Sequence, residues 1–122
     1  MDKNILIIDD FESARFITEF TLKNAGYSVV MAKSGEEALQ ILETSPVRLI
    51  ITDYNMPQMN GLEFIRKVKN HPKLCNTPII VLSTENNEVK KLEVTKLGIL
   101  MWIKKPFKMD EFLKIISKVI DN

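Results

Sequence analysis

Four short stretches place oxygen- or nitrogen-bearing side chains directly after apolar runs. Asp9-Asp10 follows ILII, Asp53 follows LIIT, Ser83-Thr84 follows IIVL, and Lys104-Lys105-Pro106 follows MWI. Aspartate stands at positions 2, 9, 10, 53, 110 and 121, so half of all the aspartates fall in the first two stretches. Three carboxylates brought together repel one another, and some must hold protons or a cation must neutralise them. A hard divalent ion meets that need with oxygen ligands and water. This is the preference of Mg²⁺, and softer ligands are scarce because His71 and Cys75 are the only histidine and cysteine. One aspartate is then left for chemistry. With a metal opposite a lysine and a hydroxyl, the set has what phosphoryl transfer needs: a carboxylate nucleophile, plus cations and donors around three equatorial oxygens.

Chemistry dispersed over nearly a hundred residues requires a scaffold that gathers it. Short apolar runs at 5–8, 28–31, 47–52, 79–82 and 99–103 alternate with segments of helical period, as in βαβ units around a parallel sheet. The first, third and fourth runs are continuously hydrophobic and suit strands covered on both faces; the weaker second suits an edge. Helices are expected over 11–25, ended by Gly26; 35–43, with Ser34 and Glu37 as a capping box; 62–70; 88–97, ended by Gly98; and 109–120. The last carries Met109, Phe112, Leu113, Ile116, Val119 and Ile120 on one stripe. Right-handed crossovers put every strand's C-terminal end on one rim, where doubly wound sheets bind ligands. Strands one and three should be neighbours, which would bring all three acids together.

Composition narrows the partners. A chain of 122 residues, 45% hydrophobic, can bury one core without metal or disulfide staples, and a single domain over 1–122 is expected. Seventeen Lys and Arg against sixteen Asp and Glu leave a net charge of +1, with no block of like charge that would serve as a nucleic-acid arm or membrane patch. Cys75 has no partner for an intrachain disulfide, which suits a reducing cytoplasm. The apolar run before Asp9 is too short for a signal peptide or a membrane span.

The same residues resemble the receiver domain of two-component response regulators over essentially the whole chain. The acid pair in IIDDF, the acceptor motif TDYNMPQMNG, the hydroxyl in VLSTE and the lysine-proline of KKPF stand in the family's order. Phe11, Asn55-Met56-Pro57, Glu85 and the WIKKPF ending make it most similar to the stand-alone chemotaxis receivers. The resemblance implies a flavodoxin-like (βα)5 fold with a five-stranded parallel sheet in the order 2-1-3-4-5. It implies that Asp53 is the phosphoacceptor, served by a histidine kinase, a phosphotransfer protein or a small donor such as acetyl phosphate. Mg²⁺, with Mn²⁺ as a substitute, would be held by Asp10, Asp53, the Asn55 backbone carbonyl and, through water, Asp9. Lys105 and Ser83 would meet the phosphoryl oxygens. Trp102 would be the aromatic switch, and Asn55, Thr84 and Glu85 would tune the phosphoryl lifetime. Tryptophan at 102 and threonine at 84 depart mildly from the family's usual residues. The implied protein is a cytoplasmic monomer that acts on a downstream protein such as a flagellar switch component and is not an enzyme turning over an external substrate.

Each residue also has a plainer reading. Asp53 could cap the following turn, Asp10 could cap the helix near Phe11, Ser83 and Thr84 could cap the next helix, and Lys105 could be surface charge. An aromatic at 102 is ordinary for a half-exposed edge strand. His71 and Cys75 read as solvated loop residues, and Lys90, Lys91 and Lys96 as a solvated helix face, though the family's partner surface includes that region. Three functional alternatives remain at this level: a phosphorylation-independent interaction module, a small aspartyl-phosphate phosphohydrolase, which would lack its D-x-D motif, and a flavin site, for which Asp9-Asp10 is the wrong chemistry.

Overall fold

The structure, a computed structural model, describes residues 4–56 and 58–121. Pro57 of the acceptor turn, and residues 1–3 and 122 of the single-domain reading, lie outside the described residues. Five strands alternate with five helices: β1 (Asn4–Ile8), α1 (Glu12–Asn24), β2 (Ser28–Ala32), α2 (Gly35–Thr44), β3 (Leu49–Asp53), α3 (Gly61–Lys69), β4 (Ile79–Ser83), α4 (Glu88–Lys96), β5 (Met101–Lys104) and α5 (Met109–Ile120). All neighbouring strands pair in parallel, in the order β2-β1-β3-β4-β5. This is the flavodoxin-like arrangement, with β2 at one edge and β1 beside β3 as expected.

Alternation along the buried strands divides the core in two. Leu6, Ile8, Ile50, Ile79 and Val81 face one side and pack with Ala38 and Leu42 of α2, Phe64, Ile65 and Val68 of α3, and Val94 of α4. Ile5, Ile7, Leu49, Ile51, Ile80 and Leu82 face the other side and pack with Leu22 of α1 and Phe112, Ile116 and Ile120 of α5. Successive side chains point to opposite faces, so a continuous apolar run is what a doubly covered strand requires. The rigid centre ends at the rim in Asp9, Asp53 and Ser83.

Boundaries shift where hydrogen bonds and turn geometry overrule the apolar pattern. β3 begins at Leu49, because the Arg48 N–H donates to the Asn4 carbonyl at 2.8 Å ahead of the ladder. β5 begins at Met101, after Gly98 has ended the α4 turn at φ +90°. At α2 the Ser34 hydroxyl accepts from the Glu37 N–H at 3.1 Å, as expected. The reciprocal capping box lies instead at Asn60 and Glu63, with side-chain bonds of 3.0 and 3.5 Å, and starts α3 at Gly61.

Gly61 also closes the acceptor loop. Its N–H donates to the Tyr54 carbonyl at 2.7 Å. A Cβ there would lie 2.9 Å from the Tyr54 Cα and 3.1 Å from the Asp53 carbonyl oxygen. These are backbone atoms of one closely packed segment and nothing soft is there to yield, so Gly61→Ala should destabilise the fold by about 1–3 kcal/mol. Urea unfolding of the variant checks this.

Candidate phosphoacceptor and metal site

β1 and β3 deliver their terminal acids side by side. One carboxylate oxygen each from Asp9, Asp10 and Asp53 lies within 4.8 Å of the others, the one such cluster among the described residues. Their surroundings differ. Asp9 is 6% exposed, Asp53 is half-buried and Asp10 is exposed. Asp9 Oδ1 accepts from the Phe11 N–H at 2.9 Å, its backbone N–H donates to the Ala32 carbonyl at 3.1 Å, and its carbonyl accepts from Arg15 Nη1 at 2.8 Å.

Lys105 reaches into the cluster from the end of β5. Its Nζ is 3.2 Å from Asp53 Oδ2 and 3.7 Å from Asp9 Oδ2, and its backbone N–H donates to the Ser83 carbonyl at 2.8 Å. The Lys105-Pro106 peptide is cis. Burial pushes the Asp53 carboxyl above its ordinary value of 3.8, and neighbouring Asp9 pushes the same way; Lys105 and the Asn55 N–H pull it down without restoring it. Burial and the neighbouring acid thus disfavour the charged carboxylate even with Lys105 in place, and an added cation would favour it. The donor set is entirely oxygen, compact and open to solvent at Asp10, and it fits a hard ion of the size and charge of Mg²⁺.

Ser83 is fully buried, and its Oγ accepts from the Glu85 N–H at 2.8 Å, which leaves its own proton to donate. Glu85 accepts from the Asn87 N–H at 3.0 Å and pairs with Lys90 at 3.5 Å, bracing the β4–α4 loop. Thr84 and Asn55 are exposed at the rim. The Asn55 N–H lies 3.4 Å from Asp53 Oδ1, so the turn role of Asp53 is present alongside its place in the cluster. Trp102 is half-buried, its ring 5.5 Å from that of Tyr54 and tilted by 46°.

Three of the plainer readings give way. Phe11 is the N-cap of α1, with no side-chain cap, because the acid that bonds its N–H is Asp9; Asp10 is left facing the cluster. Asn87, not Ser83 or Thr84, caps α4 by accepting from the Val89 and Lys90 N–H groups. Lys105 is tied to two acids and is not free surface charge. His71, read as solvated, is half-buried and bonds Glu43 of α2 through Nε2 at 3.2 Å, pinning the α3–β4 loop. Sequence reasoning passed over Arg15 and Tyr54. Nothing in the sequence marks Arg15, six residues from its partner, whereas Tyr54 adjoins the acceptor as the aromatic nearest Asp53 in the chain.

A 2-1-3-4-5 parallel sheet with an acid trio, a hydroxyl and a lysine on one rim defines a receiver-type domain. Residues 5–117 match the response regulator receiver domain, and the chain belongs to that family. Among its relatives, a chemotaxis protein CheY homolog of Campylobacter jejuni is 38% identical over 105 residues, covering 84% of this chain and 81% of the relative. The chemotaxis protein CheY1 of Helicobacter pylori is 36% identical over 84% of this chain and 85% of its own length. The solved structure of Vibrio cholerae chemotaxis protein CheY4 superposes with a TM-score of 0.90 at 37% identity, over 98% of this chain and 99% of that one.

Proposed function

We propose that this chain is a phosphorylation-activated receiver of a two-component pathway, with Asp53 as the phosphoacceptor. The observation that carries the reading is the convergence of Asp9, Asp10 and Asp53 oxygens within 4.8 Å, with Lys105 bridging two of them. An Asp53 carboxylate oxygen forms the new O–P bond as the donor's P–N bond breaks, or its P–O bond in acetyl phosphate. Asp10, Asp53 and the Asn55 carbonyl would hold Mg²⁺ or Mn²⁺, with Asp9 contributing through water. A metal held there would supply positive charge to the phosphoryl oxygens during transfer. Lys105 exchanges its carboxylate pairing for the phosphoryl group, and the Ser83 hydroxyl donates to another oxygen. Asn55, Thr84 and Glu85 control water access and so the lifetime of the acyl phosphate. The chain thus promotes its own modification and loss of it, without turning over an external substrate.

Readout follows from charge. A phosphoryl group adds about two negative charges and biases a two-state element only if the states contact it differently. Ser83 and Lys105 supply the difference at the ends of β4 and β5, and Trp102 lies on β5 against Tyr54. Val89 and Leu92 of α4 and Leu100 and Met101 at the start of β5 are exposed apolar residues on elements that would present them to a protein partner. The similarity to the CheY proteins supports chemotaxis as the pathway, with a histidine kinase or phosphotransfer protein upstream and a flagellar switch protein as the kind of target.

Mass spectrometry after incubation with acetyl phosphate and Mg²⁺ should show one phosphoryl adduct, absent in Asp53→Ala. Tryptophan fluorescence should change saturably with Mg²⁺ and again with beryllium fluoride, the second change vanishing in that variant. A protein that takes no adduct yet binds its partner would be a phosphorylation-independent module. Equal partner affinity in both phosphorylation states would remove the switching role of Trp102.

A further inference from the structure

The Asp9 carbonyl lies just past the last rung of the sheet, since the β1 pairings end at Ile8 opposite Ala32 and Thr52. Its partner is the guanidinium of Arg15 at 2.8 Å, which reaches back from α1. Arg15 is anchored in turn, because its backbone N–H donates to the Phe11 carbonyl at 2.9 Å. The Phe11 N–H bonds Asp9 Oδ1, so Asp9, Phe11 and Arg15 are linked in a ring of three hydrogen bonds. The captured carbonyl belongs to the peptide that joins Asp9 to Asp10. A peptide unit is planar, so holding its oxygen fixes the plane in which the Asp10 N–H and Cα are carried. Asp10 itself is exposed.

We propose that Arg15 is a positioning residue for the metal site: it orients the Asp9-Asp10 peptide so that the exposed Asp10 carboxylate meets the incoming ion. This rests on the reading of the acid trio as a Mg²⁺ site. Arg15 differs from Lys105, the other cation at the rim. Lys105 lies against oxygens that an ion would use and must yield to it. Arg15 bonds a backbone carbonyl and not a carboxylate oxygen, so it stays in place whether or not metal is bound.

Geometry and charge predict opposite signs, which makes the role testable. Deleting a nearby positive charge should strengthen binding of a divalent cation. Loosening a group that orients a ligand should weaken it, by roughly 10–100-fold in affinity. Calorimetric titration of Mg²⁺ into the whole chain, with Asp10→Asn as the control that locates the ion, should show weakening on that scale for Arg15→Met. Arg15→Lys, which can still donate to the carbonyl, should recover most of the loss, and thermal unfolding should show both variants folded at the titration temperature. Unchanged or tighter binding by Arg15→Met, or equal weakening in the Lys and Met variants, would overturn the proposal. No Mg²⁺ binding in the wild type would instead overturn the metal-site reading itself.

Discussion

Asp53→Asn should lower phosphorylation by acetyl phosphate below detection while raising the stability of the metal-free protein at neutral pH. The first effect is chemical, because a carboxamide is not a nucleophile towards phosphorus at neutral pH and no other acid in the cluster stands at the end of β3. The second is electrostatic. Burial and Asp9 together raise the Asp53 carboxyl above 3.8 despite Lys105, so the folded protein binds that proton more tightly than the unfolded chain does. Between 3.8 and the raised value the native state holds more protons than the unfolded state. Stability therefore falls as pH rises through that window, by linkage. The asparagine variant lacks this component. Its stability relative to wild type should grow as pH climbs from 3.8 and level off above the native value. Urea unfolding in EDTA at several pH values, beside the phosphorylation assay, measures both. A variant whose relative stability falls with rising pH would mean that Lys105 outweighs burial at this carboxylate.

Lys105→Met should slow phosphoryl transfer about 10²–10³-fold, the scale for removing one fixed donor from a developing negative charge, and should at the same time tighten Mg²⁺ binding. The opposing signs follow from where the ammonium sits. At 3.2 Å from Asp53 Oδ2 and 3.7 Å from Asp9 Oδ2 it competes with a metal for the same acids in the resting protein. Methionine fills the space of the stem and leaves the acids to the cation. Stopped-flow phosphorylation with acetyl phosphate reports the rate, and calorimetry the affinity. Slower transfer together with weaker metal binding would assign Lys105 a merely structural part. That part would be to hold the Asp9 and Asp53 carboxylates it bridges in place, since the variant keeps its backbone bond to the Ser83 carbonyl.

Much of this molecule was legible in its sequence because its signals are local. Four apolar runs each ending in a polar group, Gly26 and Gly98 at helix ends, and the stripe on α5 all reflect the conformation of a few adjacent residues. Even the start of α3 was available in Asn60-x-x-Glu63, but the apolar run from Leu62 drew the boundary one residue late. The starts of β3 and β5 were not available. Each depends on a hydrogen bond to β1 or β4, to the Asn4 carbonyl for Arg48 and to the Ile79 carbonyl for Leu100.

By itself, the sequence determined the parts: a doubly wound sheet, the residue types at its rim, and the class of chemistry that three acids, a hydroxyl and a lysine permit. Only the tertiary structure decided how those parts divide their work. Asp9 and Asp10 are neighbours of one type, yet one is buried and bonded through backbone and carboxylate while the other faces solvent, because Asp9, the first residue past β1, still bonds the Ala32 carbonyl and Asp10 lies beyond that bond. Lys105 touches Asp9 and Asp53 together, Arg15 holds the peptide between the acid pair, and Tyr54 lies under Trp102. Each of these contacts joins different elements, and strand order, register and the docking of α1 set its distance. Local propensity carries no information about such distances, and they separate a list of suitable residues from a site.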